Sequence, residues 1–141
     1  MKNNSSKKFI FIVTSVFTII TLAFVFILIQ NSLKEAEFII DDQTGVLEIT
    51  GMYDKTITID QNTEIALVSP LTITRRTNGS SIGDIKKGYF TLEGDLPVYL
   101  NLGDASLNWI EIINGDDYYY INYKSESDTT QLLQDLIDLQ S

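Results

Sequence analysis

Apolar positions follow three different periods along this chain. From Phe9 to Ile29, "FIFIVTSVFTIITLAFVFILI", 21 residues pass without a charge or a proline. From Val46 the pattern changes to alternation over short runs: Val46–Tyr53, Lys55–Asp60, Glu64–Val68, Leu71–Arg75, Gly88–Glu93, Val98–Leu102, Trp109–Ile113 and Tyr118–Tyr123. Alternation at period two, broken by Gly, Pro, Asn and Asp, predicts strands. Asn114-Gly115 between the last two runs predicts a tight hairpin, because both residues tolerate positive φ. Thr77–Lys87 is the one sizeable irregular stretch. After Ser125 the period changes again. Leu132, Leu133, Leu136, Ile137 and Leu139 form a stripe at helical spacing. Ser125 with Asp128, or Asp128 with Gln131, is placed to cap its start. The amphipathic stripe is expected to pack on the strands.

The first run reads as a membrane anchor. A helix of that length rises about 30 Å, the thickness of a bilayer's hydrocarbon core. Thr14, Ser15, Thr18 and Thr21 are its polar exceptions, and their hydroxyls can bond back to the preceding turn. A soluble core helix would not be apolar all round over this length. A cleaved signal would explain Lys2, Lys7 and Lys8, but the run is longer than a usual signal core, and Lys34 interrupts the small-residue pattern before Ala36. The expected organisation is a cytoplasmic tail over 1–8, a transmembrane helix over 9–29, a stalk over 30–37 and a folded domain over 38–141. Lysines precede the span and acids follow it, so the N-terminus is expected in the cytoplasm of the cell membrane and the domain outside it.

Composition narrows the chemistry. The 141 residues carry a net charge of −9, with no His and no Cys. Residues 31–141 hold seven basic and nineteen acidic side chains, a net −12. That balance argues against nucleic acid as a partner. Missing His and Cys remove the commonest zinc, haem and iron–sulfur ligands, a common catalytic base and a common nucleophile. The pairs Asp41-Asp42 and Asp116-Asp117 are adjacent and lack calcium-loop spacing. No nucleophile elbow, phosphate loop or dinucleotide fingerprint occurs. No enzyme, no metal and no cofactor is expected.

From Phe38 to Leu139 the chain resembles the bacterial pleckstrin-homology-like domain family, in the small form found in membrane-associated proteins. The resemblance is carried by Gly51-Met52-Tyr53, by Arg76-Thr77-Asn78-Gly79, by Gly88-Tyr89-Phe90, and by Asn122 followed by Thr129. It implies an all-β fold with a C-terminal helix: a bent antiparallel barrel of about seven strands, capped by one helix and here preceded by a transmembrane helix. The phosphoinositide-binding kind carries several basic residues at its first hairpin. Here that hairpin has Lys55 alone beside Asp54, which argues against such a ligand.

Two groups of residues are candidates for binding. Arg75, Arg76, Lys86 and Lys87 are four of the seven basic residues beyond the anchor. With Asn78 they could hold an anionic small ligand or headgroup, or simply solvate the rim of a corner. Alternation sets Arg75 and Arg76 on opposite faces. Trp109, Tyr118 and Tyr120 could form a sticky strip for a protein, or be core. Tyr119, Ile121 and Tyr123 share one face of their strand and Tyr118 and Tyr120 the other; one set is expected in the core, and the other as a cross-strand ladder over Ile110 and Ile112 or an exposed strip. The expected function is a membrane-anchored, non-catalytic binding or scaffold module. Its partner is a protein or a component of the cell envelope; the alternative is an anionic ligand on the 75–87 stretch.

Overall fold

The computed structural model describes residues 3–141; Lys2 of the expected tail lies outside them. The chain divides into two compact units, residues 1–31 and 32–141. Helix α1 (Asn3–Leu33) dominates the first. Its apolar side chains from Phe9 to Ile29 are exposed around the helix. It is long and apolar enough to cross a membrane. Thr14, Thr18 and Thr21 each donate to the carbonyl four residues back, at 2.9 Å, as expected of hydroxyls in an apolar helix.

The second unit holds nine strands, among the described residues, and helix α2. A three-stranded antiparallel sheet contains β1 (Glu37–Asp41), β2 (Val46–Thr50) and β3 (Lys55–Thr58). A six-stranded sheet contains β4 (Glu64–Val68), β5 (Ile73–Ile82), β6 (Ile85–Leu92), β7 (Leu96–Leu102), β8 (Trp109–Asn114) and β9 (Asp117–Asn122), in the order β4-β8-β9-β7-β6-β5. Helix α2 (Glu126–Leu139) closes the chain. This departs from the expectation of about seven antiparallel strands in two ways. There are two more strands, and β7 pairs with β9 in parallel. Strand pairing does not close a ring: β4 and β5 are edges of one sheet, β1 and β3 of the other.

The two sheets share a core. Leu47, Ile49, Ile57 and Ile59 of the smaller sheet and its extension meet Tyr99, Ile110, Ile112, Tyr119 and Ile121 of the larger, and Leu132 and Leu136 of α2 complete the cluster. The opposite face of the larger sheet carries a second cluster around Phe90, Leu100, Leu102, Trp109 and Tyr120. Period-two alternation along β7 and β9 therefore serves two cores at once, which is why these strands read as nearly continuous apolar runs.

The parallel pair needs β8 to bypass the place of β9, and the link from Gly103 to Asn108 makes that step. Buried Asn122 holds the link from within. Its Nδ2 donates to Asp104 O (2.7 Å) and Asn108 O (3.1 Å), and its Oδ1 accepts from Asp104 N (3.2 Å). Of the two expected caps for α2 the structure uses Ser125, whose hydroxyl accepts from Asp128 N. Thr129, also buried, accepts from Tyr123 N at 3.0 Å and so ties the first turn of α2 to the end of β9.

The segment expected as a stalk is partly structural. Ala36 is a core residue. Ser32 accepts from the Ser80 hydroxyl at 3.0 Å, and the Glu35 carboxylate accepts from Lys124 N at 2.7 Å.

Candidate functional site

The stretch 77–87 is not an irregular loop. It is most of a β-hairpin, β5–β6, turned at Gly83-Asp84. Asn78-Gly79 makes no turn; the two residues lie within β5, opposite Tyr89 and Gly88. The strands touch there: a Cβ on Gly79 would sit 2.4 Å from Lys87 O. Bulges on either side of Arg75-Arg76 break the alternation that a sequence pattern would reveal.

The hairpin does not gather its four cations. Lys87 is 1% exposed, and its ammonium donates to Lys34 O. Burial, helped by the nearby Lys124 charge, lowers its pKa, while the carboxylate of Glu35 partly offsets this. Lys86 folds back on its own turn, donating to the Ser81 hydroxyl (2.7 Å) and to Gly83 O. Arg75 pairs with Thr91 and Arg76 with Phe90, so they point to opposite faces, and both are exposed. Asn78 is exposed on the hairpin's flank.

The aromatic candidates are also redistributed. Trp109 is 1% exposed, donates Nε1–H to Ala105 O at 3.0 Å, and packs edge-on against Tyr120. Tyr120 is buried and donates to the Glu111 carboxylate at 2.7 Å. Burial and that carboxylate push its phenol pKa up. Tyr118 is half-buried against the same cluster. Trp109 and Tyr120 are core on the second face rather than an exposed strip, whereas Tyr118 also lines a cleft of about 440 Å³. Of the two expected sets it is Tyr119 and Ile121 that face Ile112 and Ile110, their register partners, while Tyr118 and Tyr120 lie on the other face.

A tyrosine ladder does exist, on the other face. Tyr89, Tyr99 and Tyr119 are register partners across β6, β7 and β9. Their rings stand edge to face, with centroids 5.7 Å apart for Tyr89–Tyr99 and 6.0 Å for Tyr99–Tyr119. Tyr99 is buried and donates to Tyr53 O at 2.6 Å. Burial pushes its phenol up to about 12. Tyr119 is raised too, first by burial and then by the Asp117 charge. Tyr89 is 40% exposed and opens the ladder to solvent.

Lys55 completes the arrangement. It pairs with Ile49 and precedes Ile57 by two, so it lies on the inward face of β3 at the mouth of the sheet pair. Its ammonium is 5.6 Å from the Tyr89 centroid, 5.7 Å from that of Tyr119 and 6.0 Å from that of Tyr99. These are cation–π distances. A cleft of about 440 Å³ opens over this group, with Asn78 on one wall and Asp116 and Asp117 on the rim. Local sequence pattern does not reveal the cage, because its three rings come from three strands whose register no single strand encodes. The Tyr-Phe step at 89–90, the lone Tyr99 and the tyrosine run at 118–120 are its traces in the sequence.

A wider recess of about 620 Å³ lies beside Asp42, Asp135 and Asp138. It has no cation or aromatic platform. Among the described residues no group of His, Cys, Asp and Glu is arranged to hold a metal ion. The domain's concave surface thus offers aromatic faces, one ammonium and a carboxylate rim, which suit recognition by stacking and charge. Compared with protein-family models, with curated proteins and with solved structures, the chain matches none.

Proposed function

We propose that this chain is a membrane-anchored, non-catalytic binding module. It is held in the bilayer through Phe9–Ile29, with its N-terminus in the cytoplasm and its acidic β-domain displayed outside to another protein or an envelope component. The lysines before the span and the acids after it support that orientation. The tyrosine cleft carries the binding reading. It places three aromatic rings and a rim of two carboxylates around about 440 Å³ of open space. Concave, aromatic-walled sites with a few polar groups are characteristic of ligand recognition.

Kinship with the pleckstrin-homology-like architecture belongs to the same proposal. A flat six-stranded sheet would hold β4 and β5 about 24 Å apart. The Ser69–Thr72 connection between them allows only about 18 Å at full extension. Val68 and Ile73 also pack on one cluster. Both observations support a strongly bent sheet, and the order of strands followed by one C-terminal helix agrees with the order in such folds. The parallel β7–β9 pair is a departure from the antiparallel pattern.

A second reading, an anionic ligand on the β5–β6 hairpin, is favoured by the exposure of Arg75, Arg76 and Asn78. Cross-linked capture from native membranes separates the two. The full chain is compared with Tyr89→Ala and with Arg75→Ser/Arg76→Ser, each checked for folding. Loss of the captured partner only in Tyr89→Ala is the expected result. Loss only in the arginine pair would transfer the function to the hairpin, and a partner held equally by both variants would overturn the cleft.

A further inference from the structure

An inward-facing lysine at the end of a core strand has to place its ammonium somewhere. Along β3 and its extension the inward positions run Lys55, Ile57, Ile59, and the last two are buried. The Lys55 side chain follows the same face and reaches the mouth of the sheet pair. There its ammonium meets three tyrosine rings at 5.6–6.0 Å and the Tyr89 hydroxyl at 3.4 Å. The faces of aromatic rings carry partial negative charge, and three of them converging on one point form a receptor for an ammonium group. The site therefore already holds its own kind of ligand, supplied by the chain itself.

The surroundings favour cations from outside as well. Asp116 and Asp117 are exposed on the cleft rim. Residues 31–141 as a whole are at −12, a field that draws cations toward the domain. Tyr89, the outermost ring, is 40% exposed, and Lys55 is only half-buried. Neither has to break into the core for the ammonium to leave. An alkyl chain ending in an ammonium is what the cage accommodates in Lys55, and a second lysine presents the same shape.

We propose that the Tyr89–Tyr99–Tyr119 cage receives a lysine side chain of a partner protein, which displaces Lys55 from it. This rests on the binding-module reading and adds the chemistry of the partner. Lys55 then acts as a built-in competitor. While it fills the cage the site is closed to the partner, and apparent affinity falls by the fraction of time the cage is empty.

The test uses the full chain in detergent micelles. The probe is Nα-acetyl-lysine methylamide, followed through the NMR signals of the tyrosine rings. The probe is expected to shift the cage rings. Its apparent affinity is expected to rise about tenfold in Lys55→Met and in Lys55→Gln, as the competitor is removed. The norleucine counterpart, with no ammonium, is expected to leave the rings unshifted. Asp116→Asn/Asp117→Asn is expected to weaken the lysine probe, most clearly at low salt.

Unchanged or weaker affinity in both folded Lys55 variants would overturn the proposal. So would an equal response to norleucine, or tighter binding of choline chloride, which would replace lysine by a quaternary ammonium headgroup. If the lysine probe fails while Tyr89→Ala still abolishes capture from membranes, only this inference falls. If capture also survives Tyr89→Ala, the cleft reading falls with it.

Discussion

At Gly88 the backbone has φ +106, and a Cβ would lie 2.6 Å from Asn78 O and 2.7 Å from Gly79 Cα. Both obstacles are backbone, so no side chain can give way. At Gly115 φ is +63, and a Cβ would meet nothing within 4 Å. The two positions separate conformational strain from close approach. Gly115→Ala is expected to cost about 1 kcal/mol, the strain of a left-handed residue. Gly88→Ala carries strain and a clash with the facing strand, and is expected to cost about 3 kcal/mol or more. Urea midpoints of the full chain in detergent measure both. Equal losses would mean that β5 and β6 are not held as close as the Gly79–Gly88 contact requires. Asn78-Gly79, the same residue pair as the hairpin signal at Asn114-Gly115, is held within β5 by this contact. Its glycine is needed for proximity, whereas the turn falls four residues later at Gly83.

Among the elements, those with a regular period are legible in the sequence and those shaped by contacts are not. The α2 stripe and the alternation along β3 and β8 follow from local pattern, and so does the hairpin after β8, although only Gly115 takes a positive φ there and Asn114 ends the strand opposite Asp117. Strand β1 reads partly as stalk, because "EFIID" is short and half-exposed and owes its place to pairing with β2. The second half of β5 has almost no apolar residues, and two bulges interrupt the strand, so neither composition nor period marks it. The tyrosine ladder joins β6, β7 and β9 and depends on a parallel register that cannot be read from any one strand. That ladder also predicts an alkaline response. Tyr99 is pushed up to about 12 by burial, against about 10 for an unfolded tyrosine. The folded state holds the proton longer, so this contribution is complete below about pH 10 and is lost as pH rises toward 12. Burial likewise raises Tyr119, Tyr120 and Tyr123. Lys87, lowered by burial, acts in the opposite sense below the ordinary lysine range, as one group against four. Denaturation midpoints are expected to fall between pH 10 and 12, and Tyr99→Phe is expected to blunt the fall. A flat profile across that interval would show that the phenols ionise as freely in the folded state as in the unfolded one.

For the molecule as a whole, charge and hydropathy combine into one claim about orientation. The candidate span has Lys7 and Lys8 just before its apolar run, while residues 31–141 stand at −12. Short basic flanks are retained on the cytoplasmic side, and acidic segments are not held back. The β-domain is therefore expected outside, where the cleft meets partners of the envelope rather than cytosolic phosphates. The chain has no cysteine, so each single replacement reports one position without background. Ser141→Cys and Ser5→Cys both alter exposed serines, away from the cores and the cleft. With a membrane-impermeant maleimide on intact cells, Ser141→Cys is expected to label at once, and Ser5→Cys only after permeabilisation. The reverse pattern would place the domain in the cytosol. It would return phosphate-bearing ligands to Arg75 and Arg76, and the partner lysine would then have to be sought among cytosolic proteins. Labelling of both sites in intact cells would mean that the apolar helix does not separate the two ends of the chain, and the anchor itself would be overturned.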